Sequence, residues 1–115
     1  MGDITRNFDR SEFACRCQCG YDDINILLVN RLQAIRDITG LKMIINSGCR
    51  CEKHNREVGG APDSYHLTGQ AADWRFEPAS YTWYVMLSRW SGGFHYYEDK
   101  GFVHTDVGPK RRWNG

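Results

Sequence analysis

Two short stretches of the chain alternate strictly in character, and that alternation leaves few folds open. In "GQAADWRF", Ala71 and Asp73 point to one side while Ala72, Trp74 and Phe76 point to the other, the period-two pattern of a strand. In "GFVHTDV", Phe102, His104 and Asp106 share one face in the same way. "GGFHYY" precedes it across "EDKG", which predicts a hairpin with a turn of about four residues. "KMIIN" adds a short strand running into "SGCRC". Between these strands the period changes. Ile24, Leu28, Leu32 and Ile35 recur at helical spacing and Gly40 supplies a stop, which predicts a helix over Asp23 to Thr39. A second helix is expected from Ala79 to Trp90, closed by Gly92 and Gly93. The polar stretch from Glu52 to Ser64 reads as loop or a short irregular helix. Helices outside a run of antiparallel strands give an α+β domain, a small antiparallel sheet flanked by helices. With 115 residues there is material for one core, so residues 1–115 are expected to form one domain.

Composition narrows the partners. A hydrophobic share of 41% with 13% aromatics suits a folded globule rather than a disordered chain. A net charge of +1 provides no field for nucleic acid or an anionic membrane, so neither is expected as a partner. No apolar run approaches a membrane span, and "MGDITRNFDRSEFAC" has no signal-peptide core. A role outside the cytoplasm would need another delivery route, such as cell lysis. A monomer is expected.

The five cysteines fall in two knots, "CRCQC" (Cys15, Cys17, Cys19) and "CRC" (Cys49, Cys51). An odd number cannot all pair within one chain. Three readings stay open: a structural metal at Cys15, Cys17, Cys19 and Cys51, one or two disulfides, or reduced thiols. Thiolates suit zinc, although C-x-C is tighter than the usual C-x2-C loop.

"SYHLTGQAAD" places His66 seven positions before Asp73 among small and polar residues. His104, on the strand "GFVHTDV", is the natural third ligand. Imidazole nitrogen and carboxylate oxygen both suit zinc, and three protein ligands with one water make the catalytic arrangement. Gly69, Ala71 and Ala72 leave room beside Asp73. By spacing alone, a histidine on a mixed strand is more often a hydrogen-bonded member of the fold than a ligand.

Four stretches taken together resemble the zinc D-alanyl-D-alanine carboxypeptidase and endopeptidase family of peptidoglycan hydrolases, particularly its small phage and prophage members. They are "FDRSEFACRC", "INSGCRCEKHNREVGGAPDS", "SYHLTGQAAD" and "GGFHYYEDKGFVHTDVGPKRRW". The third fits S-x-H-x-x-G-x-A-x-D at every fixed position, and the order along the chain agrees. The resemblance implies a hedgehog- and DD-peptidase-like fold with a zinc site on the sheet, ligated by His66, Asp73 and His104. It makes Arg50 the clamp for a substrate carboxylate or carbonyl, a task that suits a bidentate guanidinium. Ser64 joins Arg50 as a candidate substrate-binding residue, with a hydrogen-bonding support or a plain loop residue as the alternatives. The implied activity is metallopeptidase cleavage of peptidoglycan stem peptides or cross-links, with endopeptidase favoured over carboxypeptidase and a phage or prophage lysis role.

The chain departs from that family at Gly101, where many members carry an acidic residue three positions before the last histidine ligand. The general acid or base is then sought among Glu98, Asp99, His95 and Asp106, with Glu98 and Asp106 favoured equally; Asp106 can otherwise be read as a support behind a ligand or as the partner of an arginine. That departure also keeps open an inactive reading, a zinc-containing module that binds wall peptide or belongs to a phage particle. His54 and Asn55 are expected to shape the loop after Arg50, one of Tyr96 and Tyr97 to line a groove, and Trp113 to tuck in beside a solvated "KRR".

Overall fold

Leu28, Val29 and Leu32 are the buried stripe of α1 (Ile26–Thr39), and the sheet they face presents Met43, Ile45, Ala72, Trp74, Phe76, Phe94 and Val103 to the same core. At about 1.5–3 kcal/mol for each fully buried large side chain, this layer is the main source of stability. The computed structural model describes residues 2–112; the expectation for Trp113 lies outside them. The other elements are β1 (Lys42–Ser47), α2 (Glu52–Glu57), β2 (Ala71–Glu77), α3 (Tyr81–Met86), β3 (Gly93–Tyr97), β4 (Phe102–Asp106) and β5 (Arg111–Arg112). The sheet runs β1-β2-β4-β3-β5, and its first four strands are antiparallel.

Register sorts the two faces. Ile45, Trp74, Val103 and Tyr96 stand in one cross-strand row toward the helix. Ser47, Asp73, His104 and His95 form the next row, which alternation turns to the opposite face. The sheet therefore separates an apolar side from a polar one, and α+β is the fold class.

Several boundaries differ from expectation. The first helix begins at Ile26 rather than Asp23, because the Asn25 side chain caps it by accepting from Leu28 N at 3.2 Å. The Asn25 N–H is meanwhile held by Gly69 O. Within Glu52–Ser64 a six-residue helix forms. The second long helix is shorter than Ala79–Trp90: α3 ends at Met86 and a 3₁₀ turn, Leu87–Arg89, completes it. The strand β5, parallel to β3, was not expected; two arginines carry no alternation to read.

The amino-terminal arm is bound to this frame by side chains. Phe8 and Phe13 are fully buried, and Gln33 of α1 accepts from Asn7 N at 2.9 Å while donating to Asn7 Oδ1 at 2.8 Å. Trp90 Nε1 donates to Asp106 O at 2.7 Å, pinning the end of β4, where the polar face carries its chemistry.

Candidate metal centre

Asp73 on β2 and His104 on β4 are direct cross-strand partners. His66 reaches them from a 3₁₀ turn, Tyr65–Thr68. Ser64 opens that turn by accepting from His66 N at 3.1 Å. Gly69 closes it with a φ of 71°, where a Cβ would stand 2.2 Å from Asp23 O; only glycine suits both the left-handed backbone and the contact. His66 Nε2 and His104 Nδ1 then lie 3.2 and 2.9 Å from the same oxygen, Asp73 Oδ1.

The far side of each ring decides what faces inward. His66 Nδ1–H donates to Gly48 O at 2.6 Å, and a carbonyl can only accept. His104 Nε2–H donates to Asp106 Oδ2 at 2.8 Å. With those tautomers, neutral rings turn two nitrogen lone pairs toward a carboxylate oxygen. Three acceptors converging on one point require a cation or protons between them. Ligand bonds of about 2.0–2.1 Å would put neighbouring donor atoms about 3.3 Å apart on a tetrahedral ion, close to the spacings found. A backbone carbonyl and a carboxylate behind the two imidazoles are the usual orienting partners of metal-binding histidines. The residues present fit a zinc ion.

Without an ion, protons on the inward-facing nitrogens take its place. Burial pushes the Asp73 carboxyl up, but hydrogen bonds with His104 and His66 outweigh it and hold it well below the usual carboxylate range. Burial lowers His104, yet the Asp106 and Asp73 carboxylates raise it above its ordinary value. Asp106 is pushed up by burial and drawn down further by His104, Gly93 N and Arg111.

Asp106 is fully buried. Its Oδ1 accepts from Gly93 N and Gly108 N at 3.0 Å each, and its Oδ2 accepts from His104 and from Arg111 Nη2 at 2.5 Å. A Cβ on Gly93 would meet Oδ2 at 2.4 Å, so that glycine makes the space for the carboxylate. Arg50 spreads across the other side of the site. Its Nη2 donates to Asp73 Oδ2 at 3.1 Å, Nε to Ser47 Oγ at 3.1 Å and Nη1 to Asn55 Oδ1 at 3.2 Å. Asn55 is buried and donates onward to Ala61 O at 2.8 Å.

A cavity of about 730 Å³ opens over this group. Arg50, Ser64, His66, Asp73 and His104 line it, together with Gly59, Gly60, Ala61, Tyr97 and Arg111.

Residues 6–106 match the peptidase M15 family. The chain belongs to that family. It is 35% identical over 95 residues to the peptidoglycan L,D-endopeptidase MepK of Escherichia coli (strain K12), covering 75% of this chain and 52% of that protein. The same figures hold for MepK of Shigella flexneri. The probable MepK of Haemophilus influenzae is 39% identical over 65 residues, covering 55% of this chain and 35% of that protein. The chain thus spans about half the length of the first of these curated relatives.

In this M15 chain the three expected ligands come together, with Arg50 and Ser64 beside them. The two carboxylates favoured for proton transfer do not reach the cavity wall. Glu98 is exposed in the turn after β3 and is absent from the cavity lining. Asp106 stands behind the His104 ring, on the Nε2 side, while Asp73 faces Nδ1. Asp99 is exposed in the same turn; His95 is the cross-strand partner of His104 and packs edge-on against Tyr97. His54 joins neither cluster of potential metal ligands among the described residues; its N–H donates to Cys51 Sγ. Tyr65, Asp63 and Arg111 also line the cavity and escaped the sequence reading. Arg111 stacks over Tyr65 at 5.0 Å, a pairing across 46 positions with no local signature.

Proposed function

We propose that this chain is a zinc-dependent peptidoglycan endopeptidase that hydrolyses stem peptides or their cross-links. The observation that carries the reading is the convergence of His66 Nε2, Asp73 Oδ1 and His104 Nδ1 on one point of a cavity. The relatives named as peptidoglycan L,D-endopeptidases support the substrate class and make an L,D bond the first to test. Endopeptidase is favoured over carboxypeptidase because Gly59, Gly60 and Ala61 in the lining carry little or no side chain with which to close the cavity around a chain end. The resemblance to small phage and prophage members supports a lysis role at the cell wall. Among the described residues no helix is long and apolar enough to cross a membrane.

A zinc ion held by the three ligands would supply a Lewis acid and an activated water at neutral pH. Asp106 fixes the His104 tautomer and ring direction, and Gly48 O does the same for His66. Arg50 commits three of its five N–H groups to Asp73, Asn55 and Ser47 and offers the others to a substrate oxygen. Glu98 is the carboxylate that a turn movement would bring toward the leaving amine.

A second reading, zinc-dependent binding of wall peptide without turnover, rests on the position of Glu98 and Asp106 off the cavity wall. Mass spectrometry of products from purified peptidoglycan incubated with zinc-loaded protein and with His66→Ala separates the two. New fragments confined to the active-site-intact protein establish hydrolysis and name the bond. Retention of the protein on walls with no fragments released establishes binding alone.

A further inference from the structure

We propose that Cys15, Cys17, Cys19 and Cys51 hold a second metal ion, zinc by the chemistry of its donors, that clamps the amino-terminal arm to the loop behind the peptidase site. All four sulfurs lie within 4.8 Å of one another. Cys15 and Cys17 are 3.4 Å apart, Cys17 and Cys51 3.5 Å, and Cys15 and Cys51 3.9 Å. Disulfides join sulfurs in pairs at about 2.05 Å; here three sulfurs are mutual neighbours, which no pairing produces. With zinc–sulfur bonds of about 2.3 Å, two thiolates on one tetrahedral ion stand about 3.8 Å apart, and the three measured spacings bracket that edge.

The backbone is arranged for this convergence. Residues 15–18 form a tight turn, closed by Gln18 N donating to Cys15 O at 3.1 Å, and Gln18 is the one described non-glycine residue with positive φ (65°), so the C-x-C-x-C segment folds back on itself and brings its sulfurs together. The N–H of Cys51 donates to Cys15 Sγ at 3.5 Å and that of His54 to Cys51 Sγ at 3.4 Å, partners that favour thiolate over thiol. Cys49 stays out of the group, buried in the apolar core, which accounts for the odd cysteine.

The clamp has a local consequence. Cys51 follows Arg50 directly, Cys49 N donates to Phe13 O at 2.8 Å, and Gly48 O holds the His66 ring. A Cβ on Gly48 would press within 2.7 Å of Phe13 O, so arm and loop are already in close contact there. An ion joining residues 15–19 to Cys51 fixes the segment that orients one ligand and carries the arginine of the other site. It does not depend on what that site cleaves.

The test is metal content per chain, by native mass spectrometry and elemental analysis of reduced, zinc-reconstituted protein. Wild type is expected to carry two ions, His66→Ala with Asp73→Ala one, and Cys17→Ser with Cys19→Ser one. Cys17 and Cys19 are exposed, so neither serine disturbs the core. Cobalt-loaded His66→Ala, Asp73→Ala protein should show a thiolate-to-cobalt charge-transfer band in the near ultraviolet. That measurement needs no cysteine variant to fold. A single ion in wild type, lost entirely with the His66 and Asp73 substitutions, overturns the proposal. So does cobalt bound without a thiolate band, or an intact mass lowered by the hydrogens of disulfides in protein kept reduced.

Discussion

Replacing Asp106 by asparagine changes one atom in the core and should disable the centre without touching a ligand. The two Asp106 oxygens accept four N–H groups, from Gly93, Gly108, His104 and Arg111, and a carboxylate alone can accept on both atoms. If the oxygen of the new amide takes the Gly93 and Gly108 bonds, its NH2 confronts His104 Nε2 and Arg111. His104 must then carry its proton on Nδ1, the nitrogen facing Asp73, and loses the lone pair that a metal needs. If the amide flips, its NH2 confronts two backbone N–H groups in a fully buried place. The first arrangement costs Arg111 its Asp106 acceptor and the second costs both backbone N–H groups theirs, at about 1–3 kcal/mol each, so folding stability should fall by about 1–6 kcal/mol. Loss of a histidine's orienting partner typically weakens metal binding about 10–100-fold. Competition against a chromophoric zinc chelator and urea unfolding, on wild type and Asp106→Asn, measure the two effects separately. Zinc affinity within about twofold of wild type would refute the reasoning, since it would mean that Asp106 does not set the His104 tautomer.

Gly60→Ala should act at a distance: the new Cβ would stand 2.1 Å from Asn55 Oδ1 and 3.0 Å from Arg50 Nη1. Overpacking of this kind costs about 1–3 kcal/mol, and peptide cleavage should fall more than zinc content, read by assaying both on one sample. Glu98→Gln should leave stability and zinc content unchanged; a large loss of turnover with intact product binding identifies Glu98 as the proton-transfer group, and unchanged turnover removes it. The pH dependence of the metal-free protein follows from opposite shifts. Asp73 and Asp106 are depressed, so their contribution is present above the ordinary carboxylate range and is lost as pH falls through their folded values. His104 is raised, so its contribution is full below about 6.5 and is lost as pH rises through its folded value. Metal-free stability should therefore peak on the acid side of neutrality. Zinc should abolish the alkaline decline, because a ligating His104 is already neutral. Thermal midpoints across pH, with zinc and with chelator, check this; a metal-free profile that stays level above neutrality speaks against it.

The strand pattern of "GQAADWRF" and "GFVHTDV" was legible because side-chain direction in a strand is local: Asp73 and His104 must each oppose the apolar side that Trp74 and Val103 occupy. The helix over Leu28 and Leu32 was legible for the same reason, its stripe being a matter of spacing. Its start was not, because Asn25 is tied by Gly69, far along the chain. The candidate metal ligands could be named from motif and resemblance, but which of three roles Asp106 takes could not. Spacing places it on the face of His104 and says nothing of which ring nitrogen it meets. That depended on Gly93 arriving from β3 without a side chain, on Trp90 pinning the end of β4 and on Arg111 returning after it. The cysteines make the same point. Two knots separated by thirty-odd positions are consistent with several chemistries, and only the fold of residues 13–19 against Gly48 and Cys51 brings four sulfurs to one place. Residue type and period set the secondary elements and the donors available; long-range contacts choose which donor atoms face one another, because a hydrogen bond or a ligand bond depends on distances that local sequence does not contain.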